Sequence, residues 1–338
     1  MAKNIQALKN GTQLFFVVLM LVVFVGNAQA AETIKLKLSY PVPATGVVGK
    51  GYEYFAKAVK EESGGQVVVQ TYPSASLVSD REALDAVRKG NVDIAHNMVA
   101  YATQTIKEFN PLVVPGCYLA SKYNLVHQKL DPLAQKIYAQ YDVRFLGSFF
   151  PGTMTFNAAK KVKKVIKAPA DMKGLTIRSY GKWLSMAIMK WGGTPATVPL
   201  GDMAVALDRG TISVIFTAWM IADSVKLHEQ APYISYLDIC GPYQGLMMSE
   251  KAWGRLNGQQ KEAVERAVKK WQNQVKMILQ ESFKKYEQTI KNAGTTTYTL
   301  SKEENSAFLK VVDPLMEEVE KVSGPGGAEV IQVLSGLR

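Results

Sequence analysis

Beyond an apolar run near its start, the chain repeats a grammar of strand, then amphipathic helix. "TIKLKLSYP" (Thr33 to Pro41) alternates apolar and polar positions with the period of two expected of a half-buried strand, and Pro41 and Pro43 stop it. "GKGYEYFAKAVKEESGG" (Gly49 to Gly65) places Tyr54, Phe55, Ala58 and Val59 on one helical face and ends on Gly64 and Gly65. A strand "QVVVQTYP" follows. Then come a helix "REALDAVRKG", opened by the capping-box pattern Ser79-x-x-Glu82 and stopped at Gly90, and a buried strand "VDIAHNM".

The same order returns further on. A helix "KWLSMAIMKW" ends at Gly192 and Gly193, an extended "TPATVPL" follows, a helix "DMAVALDRG" stops at Gly210, and "TISVIFTAW" reads as a strand. Aligning Gly90 with Gly210 sets "LDAVRKGNVDIAHN" against "VALDRGTISVIFT", a weak internal duplication that generic α/β punctuation also produces. Alternating strands and helices predict an α/β fold with mostly parallel sheets, whose ligands sit beyond the carboxyl ends of strands. Two such lobes facing one another make a clamp.

"YISYLDICGPYQGLMMSEKAW" reads as a crossover back to the first lobe. After it, an amphipathic pattern runs unbroken from about Gln259 to Asn292, roughly 50 Å at ~1.5 Å per residue, long enough to bridge both lobes. Its apolar positions hold no strict heptad, which argues against a coiled coil. A second capping box, Ser301-x-x-Glu304, introduces two short terminal helices. The expected division is residues 31–155 with about 244–283 as lobe I, and 156–243 with about 284–338 as lobe II.

The amino terminus reads as a secretory signal over residues 1–30: Lys3 and Lys9, the apolar run Leu14 to Val25, and Ala28-Gln29-Ala30 as a cleavage site. That run is shorter than the ~20 residues needed to cross a bilayer, so the expected location is periplasmic. The remainder suffices for two domains with real cores. The net charge of +11 is scattered among helices, and its one basic run, "KKVKKVIK" (Lys160 to Lys167), reads as solvated surface; with export, this argues against nucleic acid as a partner.

Cys117 and Cys240 read as two separately buried thiols, with a periplasmic disulfide as the alternative, and His96, His127 and His228 form no metal-ligand spacing. No metal or cofactor is expected. Patterns for nucleophilic or phosphate chemistry are missing, and two of Asp171, Asp202 and Asp208 sit at helix starts, where capping accounts for them. The expectation is a protein that is not an enzyme.

One cation stands out. Arg178 ends the short strand "LTI" and is followed within a few residues by a helix start near Gly181 or Lys182. A guanidinium there enters the crevice beside free helix N–H groups, and its planar fork suits a carboxylate held bidentately. By position alone a surface ion pair explains it equally well.

The segments "FAKAVKEESGGQVVVQTYPSASLVSDREALDAVRKGNVDIA", "APADMKGLTIR" and "GGTPATVPLGDMAVALDRGTIS", with the long helix, resemble in order and spacing the solute-binding proteins of tripartite ATP-independent periplasmic (TRAP) transporters, C4-dicarboxylate-binding type. The similarity covers essentially the whole mature chain. It implies a two-lobed periplasmic-binding-protein-like fold, a monomer that closes on a small organic acid, delivery to TRAP membrane permease subunits, and Arg178 as the residue pairing with the ligand carboxylate.

The chain departs from that family where specificity is set. "FPGTMTFN" (Phe150 to Asn157) lacks the second arginine of many members, and "ISVIFTAW" places Thr217, flanked by Phe216 and Trp219, where many carry asparagine. Where members show charged residues after "VDIA", this chain has "HNMVAY", which contributes Asn97, Met98 and Tyr101. With Tyr40 and Trp183, these residues are expected to wall a pocket with one strong cation. A second carboxylate would be poorly paired there, which favours a monocarboxylate with an apolar or aromatic body, such as an aromatic acid or a 2-oxo acid. A C4-dicarboxylate, a receptor feeding a sensor and an extracytoplasmic enzyme are the alternatives.

Overall fold

The computed structural model describes residues 33–338 except 151, 199 and 240–242. The leader assignment and any pairing of Cys117 with Cys240 lie outside those residues. The chain runs β1 (Ile34–Ser39), α1 (Val47–Glu62), β2 (Val67–Tyr72), α2 (Ala83–Lys89), β3 (Ile94–Met98), α3 (Val99–Ala102), α4 (Tyr123–Ala139) and β4 (Val143–Ser148). It continues through β5 (Met154–Ala158), β6 (Thr176–Ser179), α5 (Lys182–Lys190), β7 (Thr194–Thr197), α6 (Met203–Asp208), β8 (Val214–Ala218), α7 (Trp219–Ser224) and β9 (Tyr233–Leu237). Last come β10 (Gln244–Ser249), α8 (Glu250–Gly254), α9 (Gly258–Asn292), β11 (Thr296–Thr299), α10 (Lys302–Val312) and α11 (Pro314–Ser335).

Among the described residues the strands form two sheets, ordered β2-β1-β3-β10-β4 and β11-β9-β5-β8-β6-β7. Each contains one reversed strand: β10 runs antiparallel to β3 and β4, and β5 antiparallel to β8 and β9. Both have the same cause. They are the strands that enter from the other sheet, β5 from β4 and β10 from β9, so they start at the gap where the other strands end. The gap is therefore walled by carboxyl ends of forward strands and amino ends of reversed ones, the place where α/β sheets bind ligands.

The two strand–helix repeats read in the sequence occupy corresponding places, α2–Gly90–β3 in one sheet and α6–Gly210–β8 in the other, and both glycines take the left-handed conformation (φ 80° and 70°). The capping box of Ser301 and Glu304 forms. The one expected at Ser79 does not: Ser79 Oγ donates to the Glu82 carboxylate at 2.6 Å, and α2 begins only at Ala83.

Helix α9 is 35 residues long and opens with a capping box of Asn257 and Gln260. Its amino-terminal half lays Trp271 against Tyr52, Phe55 and Phe149 beside the first sheet. Further along, Phe283 and Tyr286 pack on Trp219, and Phe283 on Tyr236, beside the second. The helix thus spans both halves, as its length requires. The terminal helix α11, kinked at Gly324, packs on Lys107–Val113 and α4, elements on the first-sheet side, whereas the boundaries drawn from sequence placed it with the second.

Three of the connections between the halves meet at one carboxylate. Asp131, on α4, accepts from the backbone N–H (3.1 Å) and hydroxyl (2.6 Å) of Ser148 at the end of β4, and from the hydroxyl of Tyr243 just before β10. Gln272 of α9 donates to the Ser148 carbonyl at 3.0 Å. His127, one turn before Asp131 on α4, completes the cluster with Nδ1 2.7 Å from Asp131 Oδ2.

Candidate functional site

A cavity of about 50 Å³ lies between the sheets. Arg178 lines it from β6, together with Thr217 and Ala218 at the end of β8, Met98 at the end of β3, and Met154 and Gln244 at the starts of the two reversed strands. Arg178 is 3% exposed, and its Nε donates to the Val198 carbonyl at 3.0 Å. Its guanidinium carbon stands 5.2 Å from the Tyr180 ring centre. Among the described residues no carboxylate pairs with it. Burial pulls its pKa below the ordinary arginine value, opposed by Tyr101 and Tyr180, and the group remains a cation. A desolvated cation without an internal anion has much to gain from an anionic guest.

Opposite, the first sheet presents a histidine the sequence reading left aside. His96 is 5% exposed and places Nδ1 2.9 Å from Asp80 Oδ1 and Nε2 3.1 Å from Gln244 Oε1. Burial works against its charged form. The Asp80 charge and the hydrogen bonds to Asp80 and Gln244 outweigh that, and its pKa lies above the usual histidine range. Tyr52, 1% exposed, also lines the cavity, and its hydroxyl has no hydrogen-bond partner. Much of the remaining wall is apolar: Val42, Val48, Met98, Met154, Leu200 and Met220.

Of the residues singled out from sequence, Arg178, Thr217, Met98 and Tyr101 line this cavity. The other five do not. Phe216 sits on the opposite face of β8: Arg178 pairs with Ile215, so the faces alternate, and Phe216 packs on Phe156 and Trp191. Asn97 alternates away from His96 and Met98, and its amide donates to the Tyr138 hydroxyl. Tyr40 stacks on Tyr52 at 4.7 Å and hydrogen-bonds Glu53. Trp183 donates to Asn110 Oδ1 at 2.8 Å, so the start of α5 turns its ring elsewhere. Trp219 faces a second groove of about 830 Å³ along α9, lined also by His127, Phe150, Lys276 and Phe283.

The model of the DctP family, described as bacterial extracellular solute-binding protein, family 7, matches residues 38–322. This chain belongs to that family. Its members are extracytoplasmic binding proteins of transport systems. The C4-dicarboxylate-binding periplasmic protein DctP of Rhodobacter capsulatus is 24% identical over 315 residues, 89% of this chain and 90% of that protein. A TRAP periplasmic solute-binding protein of Chromohalobacter salexigens, solved with bound D-glucuronate, superposes with a TM-score of 0.82 at 19% identity, covering 90% of this chain and 100% of that one. One from Sulfurospirillum deleyianum, solved with succinate, gives 0.79 at 20%, covering 91% and 100%. These structures carry the two-lobed fold over to this family member. Among its described residues no helix is long and apolar enough to cross a membrane.

In this DctP-family chain the overlooked wall residues left faint signals. His96 shares the period of two with Met98, so the strand "VDIAHNM" pointed to it as soon as Met98 was chosen. Gln244 is the first residue of a strand entering from the other half, a position visible only when strand direction is known, and Asp80 lies in the loop three residues before α2.

Proposed function

We propose that this protein is the extracytoplasmic receptor of a TRAP transporter, that it holds the carboxylate of a small monocarboxylic acid through Arg178, and that it hands the acid to membrane permease subunits. The observation that carries this reading is the buried guanidinium without an acidic partner, at a cavity walled by both sheets. The mostly apolar wall supports a largely apolar ligand body.

In this reading residues 31–155 with about 244–283 form lobe I, and 156–243 with about 284–313 form lobe II, α11 packing back on lobe I. The protein acts as a monomer. A ligand bound to Arg178 and Thr217 on one lobe gains Tyr52, His96 and Gln244 from the other only when the lobes are together, and that difference in contacts is what lets it drive closure. The cavity is well below the ~300 Å³ at the small end of ligand pockets, as expected of lobes already close together.

Calorimetric titration with pairs of acids of equal length, one mono- and one dicarboxylate, tests the reading. The monocarboxylate of at least one pair is expected to bind more tightly. A consistent preference for dicarboxylates overturns it.

A further inference from the structure

Two hydrogen-bonding groups on the first-sheet side of the cavity lack a protein partner among the described residues, and one of them, the Tyr52 hydroxyl, is fully buried. The Tyr52 hydroxyl has none, although Tyr52 is 1% exposed and its ring is fixed between Tyr40 (centroids 4.7 Å) and Trp271 (6.3 Å). Gln244 uses Oε1 toward His96 at 3.1 Å, and its amide nitrogen has no hydrogen-bond partner among the described residues. Buried polar groups are nearly always satisfied, so the unpaired Tyr52 hydroxyl, with the free Gln244 amide N–H groups on the same cavity wall, has a place for an acceptor from outside the chain.

We propose that Tyr52 and Gln244 form a second polar subsite that donates hydrogen bonds to a neutral oxygen of the ligand, a ketone, hydroxyl or amide oxygen, while Arg178 holds its carboxylate. This deepens the proposed function and rests on it. His96 is the positioning residue of the subsite. Both its ring nitrogens face oxygens, Asp80 Oδ1 and Gln244 Oε1, and a ring protonated on both donates to both, which turns the Gln244 amide so that its N–H groups remain for the ligand. The elevated pKa of His96 agrees with that state. The groups facing His96 are Asp80 from the loop before α2, Gln244 from β10, Tyr52 from α1 and Phe149 from the crossover, with Arg178 on the other side of the cavity.

The ligand class that follows is an oxo-, hydroxy- or amido-monocarboxylate. A wholly hydrocarbon acid would leave both donors unpaired.

The test uses isosteric pairs in which a methyl group replaces the ketone oxygen: pyruvate with isobutyrate, levulinate with 4-methylpentanoate, 6-oxoheptanoate with 6-methylheptanoate. Affinities are measured by calorimetry for the full mature chain and for Tyr52→Phe. At least one oxo acid is expected to bind about tenfold more tightly than its hydrocarbon isostere. Tyr52→Phe should shrink that ratio severalfold while leaving the isostere's affinity unchanged. Gln244→Leu should shrink it as well. Equal binding within every pair, a ratio that survives in both variants, or no binding by any member overturns the subsite. Retained acid binding in Arg178→Ala is a separate result, which overturns the carboxylate assignment and leaves the oxygen preference readable.

Discussion

The Arg178 cavity and the Asp131 cluster are made of similar parts, yet they are finished differently. Each holds a histidine–aspartate pair on the first-sheet side, with tyrosines and a glutamine close by. Around Asp131 the hydrogen-bonding capacity is spent: both carboxylate oxygens, the Ser148 hydroxyl, N–H and carbonyl, and the Tyr243 hydroxyl all have partners. In the cavity the Tyr52 hydroxyl has none, and Arg178 meets no anion among the described residues. Around Asp131 the polar groups hold one another; at the cavity an unpaired hydroxyl and a cation without an anion line the same enclosed space.

The largest effect that separates the two is expected at Arg178. Replacing it with Ala removes a buried charged pairing with the ligand, about 3–5 kcal/mol, or several hundredfold in affinity or more. The unliganded protein should keep its thermal midpoint within a few degrees, because among the described residues the side chain makes one hydrogen bond to the fold, at Val198. Arg178→Lys should also weaken binding, since the fork is lost. Thermal-shift measurements with and without acid read both quantities. Retained micromolar affinity in Arg178→Ala would remove the contrast.

Asp131 should behave in the opposite way. Asp131→Ala leaves Ser148, Tyr243 and His127 facing an absent acceptor where both crossovers and α9 meet. A loss of about 3 kcal/mol in unfolding free energy is expected, with Asp131→Asn intermediate, read as a lower urea midpoint. Affinity for the acid should change far less, because Asp131 does not line the cavity. An unchanged midpoint would show that the connections are held elsewhere.

The two regions also differ in how far the sequence disclosed them. The strand–helix grammar, the repeated Gly90 and Gly210 stops and the long helix are local patterns, set by periods of two and 3.6 and by glycine's freedom at positive φ, so they were legible. Arg178 stood out by position, but a surface ion pair explained that position equally well, and it was the resemblance to the TRAP solute-binding proteins that singled it out. Phe216 and Asn97 were misread for one reason: a strand's neighbours point to opposite faces, and choosing Thr217 and Met98 should have excluded them. Tyr52, Gln244 and the Tyr243 and Gln272 contacts of the Asp131 cluster depend on residues more than a hundred positions apart, or on the reversed direction of β10, although His127 and Asp131 are only one helical turn apart. No local pattern carries that information.

The smallest effect, and the sharpest test of the comparison, is pH dependence. His96 and His127 both have folded-state pKa values above the ordinary one: His127 chiefly through its hydrogen bond to Asp131, His96 because Asp80 and Gln244 outweigh its burial. A raised folded value stabilises the protein fully below the unfolded value of about 6.5, and that contribution is lost as pH rises through the folded values. The thermal midpoint should therefore fall as pH climbs from about 6.5, and His96→Gln and His127→Gln should each flatten part of that slope. Only His96 lines the cavity. His96→Gln should thus also flatten the pH dependence of acid affinity, whereas His127→Gln should leave it in place. If the two variants change the affinity profile alike, the cavity and the hinge titrate as one unit, and the separation between a site kept open and a joint kept closed fails at its most sensitive point.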